Sequence, residues 1–181
     1  MPGDDLVPGC QYVITRAVSF DTPPSAVWPW LVQIGFGKAG FYSNDFLDNF
    51  GHPSADHVVN EFQDLHVGNW VPMFSKVNDT TAFKVAAFVP DESLLWQKPD
   101  STWSWVLTPT SSGTRLVTRI RILSLWNKPA EAVFSLLLNE FGDFAMMRKM
   151  LLTLKKKVET YNRALLPNEQ LEMMEATDPR K

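Results

Sequence analysis

Phe144-Ala145-Met146-Met147-Arg148-Lys149-Met150-Leu151-Leu152-Thr153-Leu154-Lys155-Lys156-Lys157-Val158-Glu159-Thr160-Tyr161 is the stretch whose reading decides the fold. Phe144, Met147, Leu151, Leu154, Val158 and Tyr161 recur at alternating steps of three and four, which places them on one stripe of a helix. Arg148, Lys149, Lys155, Lys156 and Glu159 take the other side. A long amphipathic helix needs an apolar surface to lie on. The apolar stripe Val133, Phe134, Leu137, Leu138 and Phe141 extends the helical pattern back towards Pro129, with Gly142 as a point of breakage or bending.

Working back from the helix, the preceding segments have the period of strands. Asn69 to Met73, Thr81 to Val89, Ser93 to Gln97, Thr102 to Leu107 and Thr114 to Leu123 are separated by turn-forming pairs such as Asn78-Asp79, Pro90-Asp91 and Pro99-Asp100. Such short connections imply an antiparallel meander. Alternation puts Trp103, Trp105 and Leu107 on one face, with Leu94 and Trp96 paired beside them. It also sets Phe83, Val85, Ala87 and Val89 opposite Lys84, and Leu116, Thr118, Ile120 and Ile122 opposite Arg115, Arg119 and Arg121. The three arginines are expected on a solvated face.

At the start of the chain, Gln11 to Phe20 alternates as a first strand, with Ile14, Val18 and Phe20 on its apolar face and Arg16 sharing that face. Thr22-Pro23-Pro24-Ser25 opens a helix that runs to about Ile34, with Val27, Trp30, Leu31 and Ile34 as its buried stripe and Gly35 as its stop. Gly35-Phe36-Gly37-Lys38-Ala39-Gly40 looks like a dinucleotide loop, but it follows a helix and opens no βαβ unit, so phosphate binding is discounted. A second short helix is read between Phe41 and Gly51, capped by Ser43. His52 to Gly68 is a long loop of the kind that forms lids or rims. The domain is taken as residues 11–163, with an N-terminal extension over 1–10 and a polar tail over 164–181.

Composition narrows the function. A net charge of −3 and a pI near 5.6 provide no basic field for a polyanion, so nucleic acid is not expected as a partner. Cys10 is the single cysteine, which rules out an internal disulfide and a cysteine-based zinc site. With no secretory pattern and no apolar run of membrane-spanning length, a cytoplasmic protein without a membrane span is expected. Seven tryptophans and twelve phenylalanines supply more rigid apolar area than solubility requires, which suits a packed core or an aromatic-lined cavity.

The order strand, two short helices, antiparallel strands and long closing helix is that of an α+β helix-grip fold, a curved sheet wrapped around the C-terminal helix. Val27-Trp28-Pro29-Trp30-Leu31-Val32-Gln33-Ile34-Gly35, Gly40-Phe41-Tyr42-Ser43-Asn44-Asp45, Glu61-Phe62-Gln63-Asp64-Leu65-His66-Val67-Gly68 and Met147-Arg148-Lys149-Met150-Leu151-Leu152 together resemble the START-like superfamily. That superfamily includes polyketide cyclases and dehydrases, pollen-allergen-type carriers and lipid-transfer domains. Asn69 stands where the cyclase subgroup usually has an acidic residue.

The resemblance implies a cavity between sheet and helix holding a hydrophobic small molecule, a polyketide-like or other secondary metabolite. Cofactor-independent cyclisation or dehydration is the activity expected, with a non-catalytic carrier or sensor as the alternative. Tyr42 as donor to a carbonyl, Asp45 or His57 as base, and Arg16 as holder of a carboxylate or oxyanion are the candidate catalytic residues. A pericyclic closure driven by cavity shape alone would need none of them. Trp70, Phe83, Trp96, Trp103, Trp105, Phe144, Met147 and Leu151 are the candidate ligand contacts. No metal site is expected, since His52, His57 and His66 match no ligand spacing. No cofactor is implied, and homodimerisation stays open.

Overall fold

Strand β1 (Tyr12–Phe20) forms where β-branched and aromatic residues alternate with small polar ones, and its inner residues Val18 and Phe20 are buried. The computed structural model describes residues 1–123 and 129–165, excluding the side chains of residues 47, 48 and 129–144. Helix α1 (Pro24–Val32) follows, with proline in its first turn, where the missing N–H is not needed. It buries Val27, Trp30, Leu31 and Val32, one residue more than its expected stripe within the helix. Helix α2 (Asp45–Asp48) is a single turn, shorter than its sequence suggests. Phe50 and Gly51, both at positive φ, reverse the chain there.

Strands β2 (Trp70–Pro72), β3 (Ala82–Val89), β4 (Ser93–Lys98), β5 (Ser101–Thr110) and β6 (Gly113–Ile122) then pair in turn. With β1 they make one antiparallel sheet in the order β1-β6-β5-β4-β3-β2. First and last strands meet because β1 pairs with β6 along its whole length, Tyr12 opposite Ile122 and Phe20 opposite Thr114. Helix α3 (Pro129–Ala164) is continuous through Gly142 and packs against β1 and α1.

The stripe expected on this helix is the one buried: Met147, Leu151, Leu154 and Val158, joined by Met150, with Tyr161 half-buried. Phe144 and the stripe from Val133 to Phe141 lie outside the described side chains. Polar contacts fix the helix at its C-terminal half, where Glu159 accepts from the Asp21 amide and from Lys155.

Two readings of the sheet are corrected. Alternation in β3 breaks at a bulge between Val85 and Ala87, so Phe88 pairs with Leu94 and turns inward while Ala87 and Val89 are exposed. Phe88 then reaches the ring of Trp28, 6.3 Å away. The arginines of β6 do lie opposite Leu116, Thr118 and Ile120, but the N-terminal segment covers two of them. Asp4 bonds Arg119 at 2.6 Å and lies 3.8 Å from Arg121, while Val7 is buried and only Arg115 is exposed.

Candidate functional site

The inner face of the sheet carries a tryptophan cluster. Trp103 and Trp105 stack at 4.9 Å between centroids, and Trp96 meets both edge-on at 5.3 and 5.4 Å. Phe83 approaches Trp103 edge-on at 6.1 Å, and the Trp103 indole N–H donates to Thr118 Oγ1 at 2.7 Å. Trp96 and Trp105 are packed behind this wall. Trp103 forms its open end.

Between that end and α3 lies a cavity of about 450 Å³. Phe83, Trp103, Ile120 and Ile122 form the sheet side, Met146, Met147 and Met150 the helix side, and Phe41, Ser43 and Met73 close it from the loops. Three methionines give one wall an adaptable apolar surface. Thr80 from a turn, Lys98 at the end of β4 and Ser101 at the start of β5 supply the remaining polar lining. The cavity falls in the usual range for small-molecule sites, about 300–1,000 Å³.

Of the candidate ligand contacts, Phe83, Trp103 and Met147 line the cavity. Trp96, Trp105 and Leu151 are buried outside its lining, in the core. Trp70 faces outward across from Lys84, whose ammonium lies 4.2 Å from its ring centroid. The short β2 puts Trp70 on the face opposite Val71, so it is no wall of the pocket. Phe144 has no described side chain.

None of the four candidate catalytic residues lines the cavity. Phe41 and Ser43 turn towards it, and Tyr42 between them turns the other way, at a φ of 57°. The Tyr42 ring packs against Trp30, and its hydroxyl accepts from Gln33 Nε2 at 2.7 Å. Burial raises the phenol pKa well above its ordinary value, against the smaller opposing effect of the Gln33 hydrogen bond. Asp45 is taken up by the Ser54 hydroxyl, which also accepts from the Tyr42 amide at 3.0 Å. Gly40 makes that contact possible: at a φ of +80°, a Cβ there would sit 2.5 Å from Ser54 Oγ.

His57 is exposed and paired with Asp56, whose carboxyl the His57 hydrogen bond holds below its usual range. Arg16 lies half-buried on β1 opposite Thr118, with Nη1 donating to the Thr15 carbonyl. The long loop His52 to Gly68 contributes no lining residue; Gln33 pins it by donating to the His57 carbonyl and accepting from the Val59 amide. Among the described residues, no three His, Cys, Asp or Glu side chains gather as a metal site, and no helix is long and apolar enough to cross a membrane.

Sequence reasoning missed Met146 on the methionine wall and the loop residues Phe41, Ser43 and Met73. Nothing in local periodicity marks loop residues as cavity-facing. Lys98 was legible: it follows Leu94 and Trp96 at the period of the inner face.

No protein-family model matches this chain, and no curated protein matches it. Among solved structures it is similar to a protein from Chromobacterium violaceum, at 14% identity over 82% of this chain and 98% of that chain, with a TM-score of 0.49. A protein from Nitrosomonas europaea is similar at 18% identity over 82% of this chain and 94% of its own, also with a TM-score of 0.49. A protein of the dynemicin biosynthetic locus is similar at 17% identity over 79% of this chain and 47% of its own, with a TM-score of 0.43.

Proposed function

We propose that this chain is a START-like, helix-grip domain that holds a hydrophobic small molecule, polyketide-like or another secondary metabolite, between α3 and the sheet. The observation that supports it best is the 450 Å³ cavity walled by Phe41, Phe83, Trp103 and three methionines. A void of this size beside a densely packed tryptophan cluster forgoes dispersion contacts that a ligand would restore.

Binding is the function this geometry favours. Dehydration or an enolate-based cyclisation needs a group to move a proton at the bound molecule, and Tyr42, Asp45, His57 and Arg16 do not line the cavity. A cyclisation by confinement is the second reading. The flat faces of Phe83 and Trp103, meeting at 68°, offer a rigid corner against which a flexible chain can be folded into a near-attack geometry.

Native mass spectrometry of the purified protein tests the binding function. An adduct of small-molecule mass that is lost on denaturation is expected. A protein that retains nothing, and takes up nothing when incubated with a panel of aromatic polyketides and lipids, would refute it. Turnover of any bound candidate, compared with the same compound free in buffer, separates confinement catalysis from carriage.

A further inference from the structure

The cavity's apolar lining is interrupted at one end by a cation. Among the described residues, Lys98 is the charged side chain that lines it, with the hydroxyl-bearing residues Ser101 and Thr80 beside it. β4 continues Leu94 and Trp96 with Lys98 at the same parity, so an ammonium stands where the inner face would otherwise carry another apolar residue. The Nζ atom lies 5.6 Å from the ring centroid of Phe83, which is itself part of the cavity wall. Its ion-pair partner is Asp100, at 3.1 Å in the turn between β4 and β5.

That pair is asymmetric. The Lys98 side chain is 21% exposed and Asp100 52%, so the acid stands on the solvent side of an ammonium that borders the cavity. Asp100 also accepts from the Ser101 hydroxyl at 3.0 Å, which ties the acid into the turn. An ammonium carries three donors, and Asp100 engages it from one side only.

We infer that Lys98 receives the acidic end of an amphipathic ligand, so that the cavity selects molecules with a carboxylate at one end and an apolar body. The inference rests on the ligand-holding function proposed above and adds the chemical class of the ligand. The carboxylate would share Lys98 with Asp100 at the mouth, while the body lies along Trp103, Ile120 and the methionines. Charge-assisted hydrogen bonds are worth enough to separate an acid from its neutral analogue by roughly tenfold or more.

The test uses the full chain and a neutral fluorescent reporter, N-phenyl-1-naphthylamine, displaced at neutral pH by dodecanoate or by dodecan-1-ol. Dodecanoate is expected to displace at a concentration roughly tenfold or more below that of the alcohol. Lys98→Met should remove the difference and Lys98→Arg should retain it. Asp100→Asn, which takes away the competing acid, should strengthen the acid further. Saturable reporter binding with no preference for the acid, or a preference that persists in Lys98→Met, would overturn the role of Lys98 and leave ligand holding intact. Absence of reporter binding altogether would overturn both.

Discussion

Replacing Gln33 by leucine should damage the fold more than any single hydrogen bond suggests. Gln33 is fully buried, and its amide has four partners. Nε2 donates to Tyr42 Oη at 2.7 Å and to the His57 carbonyl at 3.1 Å, while Oε1 accepts from the Val59 amide at 2.9 Å and from Gln63 Nε2 at 3.3 Å. Leucine keeps roughly the same volume but leaves at least the Tyr42 hydroxyl and the Val59 N–H without that partner. Each stranded group costs about 1–3 kcal/mol, so the substitution is worth about 2–6 kcal/mol. For a chain of this size that corresponds to a fall in Tm of roughly 4–24 °C.

Thermal and urea unfolding measure the effect, with Tyr42→Phe as the second arm of a double-mutant cycle. Alone, Tyr42→Phe leaves Gln33 with its other partners and should cost only about 1 kcal/mol. The pair should then be less than additive, because phenylalanine removes the hydroxyl that Gln33→Leu strands. Strict additivity, or a Gln33→Leu protein as stable as the wild type, would refute the role of this amide as the tie between α1, Tyr42 and the long loop. Tyr42→Phe should also leave reporter binding unchanged, since Tyr42 turns away from the cavity.

Two pH effects follow from burial. Tyr42 is harder to ionise in the folded chain than in the unfolded one, so the native state holds its proton longer and stability falls as pH rises above about 10. Tyr42→Phe should reduce that fall by up to about 1.4 kcal/mol per pH unit in urea titrations, and an unchanged slope would contradict the burial of the phenol. Lys38 moves in the opposite sense: burial lowers its pKa to about 8, so the unfolded chain binds the extra proton between about 8 and the ordinary value of 10.5. Its contribution to stability therefore rises across that window, and Lys38→Met, compared with wild type by the same titration, should flatten the rise.

How much of this was legible in the sequence depends on the range of the interaction. The six strands and the stripe of α3 come from local periodicity, and residues such as Met147, Leu154 and Val158 lie where spacing puts them. Parity failed in β3 because the bulge between Val85 and Ala87 inserts a residue that no alternation announces. The candidate acid-base group was assembled from chemistry and proximity in the chain. The fold instead directs Tyr42 towards Gln33, Asp45 towards Ser54 and His57 towards Asp56, each with a local partner. Which way the left-handed backbone of Tyr42 would turn its ring depends on contacts with Gln33, nine residues away and beyond any local pattern.

The most direct test of a ligand-holding cavity is to fill it. Ile120 and Met147 face each other's elements across the void, and neither takes part in the Gln33 network. A variant with Ile120→Trp and Met147→Phe should stay folded, at a cost of about 1–3 kcal/mol for each enlarged side chain. Titration with N-phenyl-1-naphthylamine, read against cooperative unfolding of the same sample, is the measurement. Saturable binding by the wild type that weakens at least tenfold in the filled variant is the predicted result. A wild type that does not bind, or a folded filled variant that binds equally well, would contradict the cavity as the place where ligand is held.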